Sequence, residues 1–275
     1  MMKKQLIMEK ALELFAAQGF DATTVQQITD YCGISKGAFY LSFKSKDELI
    51  LSTIDHFMMQ FTSDIDHIVK NSEDNLLYNF YYTTFQSFHK HSDFAKVLMK
   101  EPVHSLNKDL FIKIRYYDML MDKSILLMIE RLYGKTVQSI KYDLIFCIKG
   151  FMHTYSQLFL FYSSPLDLNH LSQSLVEKTN LLAKQMTDPF ISHDLFQVLK
   201  QPLNEEITKD QLIEMMEEKM ADVEEPIEKE SLFLLKEQLV DPNLSPAIVK
   251  GLLENIRNHP ECKWISYLLR KYFEF

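Results

Sequence analysis

The sequence predicts an all-α protein, and three observations carry that reading. Glycine is scarce, at 6 of 275 residues, about 2% against a typical ~7%. Apolar residues recur at three- and four-residue spacing along most of the chain, the period of amphipathic helices. Gly19, Gly33, Pro102, Gly134, Pro165, Pro226, Pro242, Pro246 and Pro260 fall between those periodic stretches, where helices must stop. The same scarcity disfavours dinucleotide-binding α/β folds, many-turned sandwiches and phosphate-cradling loops. The chain has no Gly-x-Gly-x-x-Gly and no Gly-Lys-Ser/Thr.

The first helix is predicted over residues 3–18, where Ile7, Ala11, Leu14 and Phe15 line one face with Leu6, Met8 and Leu12 beside them. Gly19 ends it as a left-handed cap. Thr23 and Thr24 then offer N-cap hydroxyls, with Gln26 and Gln27 three positions on, and Val25, Ile28 and Tyr31 give the next short helix its apolar face. Cys32-Gly33 closes it. Ser35 caps a further helix, and Ile34 before it is placed to staple onto Phe39. A third restart follows at Ser45, with Glu48 completing Ser-x-x-Glu and Lys46 at the first helical position. Two short helices separated by a glycine turn form a helix-turn-helix, whose second helix lies in a DNA major groove with its first turn toward the duplex. Ser35, Lys36, Gly37, Ala38 and Tyr40 stand there. Helix amino ends attract phosphate, Gly37 clears the approach, and Lys36 adds positive charge.

Taken together, Gly19-Phe20, Thr23-Thr24-Val25, Ile28, Gly33-Ile34-Ser35-Lys36-Gly37-Ala38-Phe39-Tyr40 and Phe43-Lys44-Ser45-Lys46-Asp47-Glu48-Leu49 resemble the DNA-binding domain of the TetR family of transcriptional regulators. The resemblance covers residues 3–55. It implies an all-helical homodimer with an N-terminal three-helix DNA-binding domain and a C-terminal helical domain that binds an inducer and carries the dimer interface. It also implies phosphate contacts for Tyr40 and Lys46, and a backbone or base contact for Lys36. Thr24, Ser35, Gly37, Ala38 and Lys44 complete the expected DNA-binding set. The chain departs from the usual pattern at Ala38, Leu41 and Ser42. Ala38 can touch a thymine methyl but cannot hydrogen-bond a base edge, which thins direct readout.

Residues 56–200 are expected to form the effector-binding and dimerisation domain. Helical spacing runs through residues 76–89, 94–99, 110–132, 137–162 and 168–186, which predicts five more helices. Aromatic and Met side chains crowd these stretches, and such side chains line adaptable apolar cavities. Tyr81, Phe85, Phe88, Tyr116, Met119, Phe151 and Tyr155 are the expected effector-binding residues, for an apolar or amphipathic small molecule. The alternative for each is ordinary core packing. The stretch 137–162 is apolar on nearly every face, so it needs cover on more than one side. A partner subunit supplies it, together with the Leu171, Leu175, Leu182 and Met186 stripe. Two-fold symmetry then predicts a palindromic operator in double-stranded DNA.

His89 and His91 point to different helix faces, and no helical His-x-x-x-His occurs, so no metal and no cofactor are expected. Cys32, Cys147 and Cys262 are odd in number and far apart, which suits neither a disulfide framework nor a zinc site. No nucleophile–base pair stands out, and the chain is not expected to be an enzyme.

The formal net charge of −8 is unevenly placed. Residues 1–60 hold 6 Lys/Arg and 7 Asp/Glu, residues 61–200 hold 15 and 15, and residues 201–275 hold 9 and 16. Almost all the acidity lies in the tail, which leaves room for a basic face on the first domain. The tail, residues 201–275, falls outside the resemblance. Its stripes, including Leu232, Leu235, Leu239 and Ile265, Leu268, Leu269, predict about four short helices as an acidic appendage. Glu9 and Lys10 interrupt the apolar run a signal peptide needs, and residues 144–162 are too broken by polar groups for a membrane span. A cytoplasmic protein without membrane association is expected. The function expected is a ligand-responsive repressor released from its operator by the effector; the alternative is an architectural DNA-binding protein without one.

Overall fold

A computed structural model describes residues 2–92, 108–161, 166–199 and 208–275. The chain divides into two compact units, Met1–Leu203 and Asn204–Phe275. Every regular element among the described residues is helical, as the glycine count and the helical period require.

In the first unit, α1 (Met2–Gln18), α2 (Val25–Cys32), α3 (Lys36–Tyr40) and the first turns of α4 (Lys46–Asn71) enclose Ile7, Ala11, Phe15, Ile28, Phe39, Phe43, Leu49 and Ile54. Local chemistry sets each boundary. The Thr24 hydroxyl accepts from Gln27 N while the Gln27 side chain takes Thr24 N, a complete capping box. Gly33 closes α2 at φ +64°, in the left-handed region that costs a side-chain-bearing residue most. Ser35 and Ser45 cap α3 and α4 by accepting from Ala38 N and Glu48 N.

Helix α4 then runs 26 residues without a break, past the boundary expected at residue 55. Its second half packs on α5 (Leu76–Lys90) and α6 (Lys108–Tyr133). After a 3₁₀ turn at Gly134–Val137, α7 (Lys141–Ser156), α8 (Leu158–Phe161), α9 (Leu168–Gln185) and α10 (His193–Leu199) complete the unit. Rings of Phe57, Phe61 and Phe88 meet at centroid distances of 6.0 and 5.6 Å. Tyr81 is wholly buried and shares a 2.7 Å hydrogen bond with Thr179, which fastens α5 to α9.

The predicted single helix over 137–162 is divided in the structure. Its start moves to Lys141, because residues 134–137 wind as 3₁₀, and it pauses at Gln157. Ser156 there turns its hydroxyl back onto His153 O at 2.7 Å, a local bond that competes with helix continuation. Helix α10 has no counterpart among the predicted helices. The Asp143 carboxylate orders its approach by accepting from Ile191 N at 2.9 Å, and Ser192 caps it through Leu195 N. The helix predicted over residues 94–99 and the breaks at Pro102 and Pro165 lie outside the described residues.

The second unit holds α11 (Lys209–Asp222), α12 (Pro226–Val240), α13 (Pro246–Arg257) and α14 (Lys263–Tyr272). Thr208 opens α11 with a second capping box, and Pro stands in the first turn of α12 and α13, where its missing N–H costs nothing. Seven consecutive residues of α14, Trp264 to Arg270, are buried. The Ser266 hydroxyl donates to Leu253 O at 2.9 Å, and Arg270 pairs with Glu254. Glu214, Glu217, Glu218, Glu224, Glu225 and Glu230 are exposed.

Candidate nucleic-acid interface

Helix α3 has five residues, and only Phe39 of them is buried. That one anchor, with Ser35 as cap, leaves the rest of the turn outward. Lys36 and Gly37 are exposed, Tyr40 is 54% exposed and Leu41, just past the helix, is 90% exposed. An added Cβ on Gly37 would meet only Ser35 Oγ, at 3.8 Å, so the space before this turn is open. Tyr40 leans edge-on against Phe39, with centroids 5.4 Å apart, which steadies the ring while its hydroxyl stays accessible.

Of the other expected residues, Lys44 is exposed, and its backbone N–H is held by the Glu48 carboxylate at 2.6 Å. Thr24 is exposed at the amino end of α2, but its hydroxyl is engaged with Gln27. Ser35 is likewise occupied as a cap, and Ala38 is half-buried. Lys36, Gly37, Tyr40 and Lys44 thus stand exposed on or just after the turn of α3, with Thr24 and Ser35 as the caps of α2 and α3.

Lys46 differs from expectation. Its ammonium turns inward, donating to Phe20 O at 2.7 Å and Thr23 O at 2.9 Å, with Asp21 O at 3.5 Å. The same group lies 4.2 Å from the centroid of the Phe20 ring. Its charge is spent on the loop between α1 and α2.

Two exposed residues lie outside the expected set. Lys4 is exposed on α1, and its ammonium stands 5.6 Å over the ring of Phe43, the residue before Lys44 in sequence. Among the described residues Leu41 is the most exposed of the large apolar side chains. The signal for Leu41 was its departure from the polar or aromatic residues usual there. Lys4 carried none beyond its charge.

The expected effector residues divide between core and half-buried positions. Tyr81 and Phe85 are fully buried and stacked at 6.3 Å, while Phe88, Tyr116, Met119, Phe151 and Tyr155 are half-buried. Phe151 meets Tyr155 at 6.5 Å, and Tyr116 meets Tyr117 at 5.4 Å. A groove of about 330 Å³ beside Tyr142 and His193 and another of about 320 Å³ beside Arg131 and Tyr78 include none of the seven. Among the described residues no group of three His, Cys, Asp or Glu is placed to hold a metal ion, and no helix is long and apolar enough to cross a membrane.

Residues 7–53 match the model of the bacterial regulatory proteins of the tetR family. Over 270 residues the chain is 30% identical to an uncharacterized HTH-type transcriptional regulator, YerO, of Bacillus subtilis (strain 168), spanning 92% of this chain and 89% of that protein. It is 26% identical to a second such regulator of the same organism, YuxN, over 98% of both chains. Both alignments reach into the acidic extension. Among solved structures, the fatty acid degradation regulator FadR of Bacillus halodurans superposes with a TM-score of 0.55 at 17% identity, covering 67% of this chain and 96% of that one.

Proposed function

Because the chain belongs to the TetR family of bacterial regulatory proteins, we propose that it is a dimeric, DNA-binding repressor whose operator is palindromic and whose release is triggered by an apolar or amphipathic small molecule. Its relatives are transcriptional regulators, and no enzymatic family is indicated. The observation that carries the proposal is the outward turn of α3. Lys36, Gly37, Tyr40 and Leu41 stand exposed there beside Lys44. An exposed Tyr and Leu next to lysines, on a helix capped by Ser35 with a single core anchor, suit a surface that docks on a sugar-phosphate backbone and reads apolar base edges.

In this reading residues 1–55 bind DNA, residues 56–200 bind effector and partner, and residues 201–275 form the acidic extension. Lys36, Tyr40 and Lys44 contact phosphate, Gly37 admits the backbone, and Ala38 touches base edges. Thr24 and Ser35 present the amino ends of α2 and α3. The dimer face is supported by two exposed apolar side chains on neighbouring helices, Phe146 of α7 at 42% and Leu181 of α9 at 60%, which favour cover by a partner. The Leu171, Leu175, Leu182 and Met186 stripe packs instead on the protomer's own core. The effector acts through its differential affinity for two arrangements of the dimer, one of which no longer presents both α3 helices to successive grooves.

Selection of bound duplexes from random DNA, followed by affinity measurements at several salt concentrations, tests this. A palindromic consensus is expected, and Lys36→Ala should reduce the slope of log K against log salt by about 0.9, one phosphate contact. Indifference to every duplex at low salt would sink the proposal. Binding without sequence preference or ligand effect would replace the repressor with an architectural DNA binder.

A further inference from the structure

We propose that Lys46 is a positioning residue and not a phosphate ligand: its ammonium pins α4 to the α1–α2 loop, and this sets the angle at which α2 and α3 meet the duplex. The inference rests on the DNA-binding reading above. A lysine ammonium has three N–H donors, and three carbonyls, of Phe20, Thr23 and Asp21, stand within 3.5 Å of it. The Phe20 ring closes the fourth side at 4.2 Å. At the first position of α4 a positive charge opposes the helix dipole, so a cluster of carbonyl oxygens is a better neighbour for it than the helix end.

The loop depends on it in turn. Thr23 is 1% exposed; its hydroxyl donates to Gly19 O at 2.7 Å and accepts from Gln18 Nε2 at 3.0 Å. Phe20 packs at a tilt against Phe15 with centroids 5.1 Å apart. The next residue, Thr24, is the N-cap of α2. Lys46 thus stands between the start of α4 and the start of α2, and swinging it out to a phosphate would strip two partly buried carbonyls of their charged donor. Lys36 and Lys44 are exposed and free to swing.

Acylation of lysines by acetic anhydride, read by peptide mass spectrometry on the full chain with and without mixed-sequence duplex at low salt, tests this in the unaltered protein. Lys36 and Lys44 should react quickly when free and become protected on DNA, with Lys46 slow in both states. Lys46 reacting as fast as Lys36 and gaining protection on DNA would overturn the inference and leave the docking intact. Unchanged reactivity at Lys36 and Lys44 would overturn the docking itself, and this role with it. Salt titrations give a second readout. Lys46→Met should weaken binding about tenfold, the scale of one lost specific contact, at every salt concentration, with the slope unchanged and Lys46→Arg restoring most of the affinity. A slope lowered by about 0.9 in Lys46→Met would instead make Lys46 a phosphate ligand.

Discussion

The Tyr117 hydroxyl donates to Asp55 Oδ1 at 2.6 Å, across 62 residues of sequence, while Lys113 holds the other carboxylate oxygen at 2.7 Å. The contact ties α6 to α4 just beyond the turns that α4 contributes to the N-terminal bundle. Tyr117 is 2% exposed and the Asp55 side chain 19%, so the bond is made where water competes poorly.

Tyr117→Phe should therefore lower stability by about 2 kcal/mol, the cost of leaving a partly buried carboxylate short of one donor. Lys113→Met should cost less, because that side chain is 39% exposed and its ion pair is screened. Urea denaturation checks both. A Tyr117→Phe midpoint equal to the wild type would show that the bond contributes nothing.

Alkaline pH should destabilise the first unit. Burial holds the phenols of Tyr81 and Tyr117 protonated above the ordinary tyrosine range, with Asp55 adding to the effect at Tyr117, and burial pushes Tyr133 up to about 12. Folded values above the unfolded ~10 mean that this stability is complete below about pH 10 and is lost as pH rises through the folded values. Denaturation at stepped pH should show a decline above that point, shallower in Tyr117→Phe. Equal pH profiles for the two proteins would contradict it.

Gly33 and Gly37 should respond oppositely to alanine. At Gly33 nothing stands within 4 Å of an added Cβ, yet φ is +64°, so Gly33→Ala should cost about 1–2 kcal/mol through backbone strain alone. Gly37 is helical with room for a methyl, and Gly37→Ala should gain about half a kcal/mol while weakening DNA binding, since the methyl points into the approach. Paired thermal melts and DNA titrations separate the two; a Gly37→Ala protein that binds as tightly as wild type would remove that residue from the interface.

Leu41→Ala should leave the melting temperature unchanged, because a side chain 90% exposed supports nothing in the fold. On selected operator DNA the same change should cost about 1 kcal/mol, the loss of one apolar contact to a base edge. Equal affinity of the two proteins would place Leu41 outside the groove.

The helix-turn-helix was legible in the sequence because its determinants are local. Thr24, Ser35, Ser45 and Gly33 each act within three or four residues of where they stand, so reading along the chain is enough. The inward turn of Lys46 was not legible, since its acceptors are carbonyls of a loop more than twenty residues away that exist only once α1 and α2 have packed. Tyr81 illustrates the same limit beyond the N-terminal bundle. Its composition context fits a cavity wall and a core equally, and only Thr179, 98 positions on, shows that its hydroxyl is already occupied. The break at Gln157 between α7 and α8 escaped because the surrounding residues remain apolar, and a side-chain-to-backbone bond from Ser156 leaves no mark on periodicity.

Helix α4 has a consequence for how this protein can be taken apart. Thr53 and Ile54 are buried just before residue 55 and Phe57 just after it, on one uninterrupted rod about 39 Å long. Excising the first 55 residues would cut that rod through packed turns, between Ile54 on one fragment and Phe57 on the other. The N-terminal bundle should consequently have no melting transition of its own, and calorimetry should record the first unit, Met1–Leu203, as a single cooperative event.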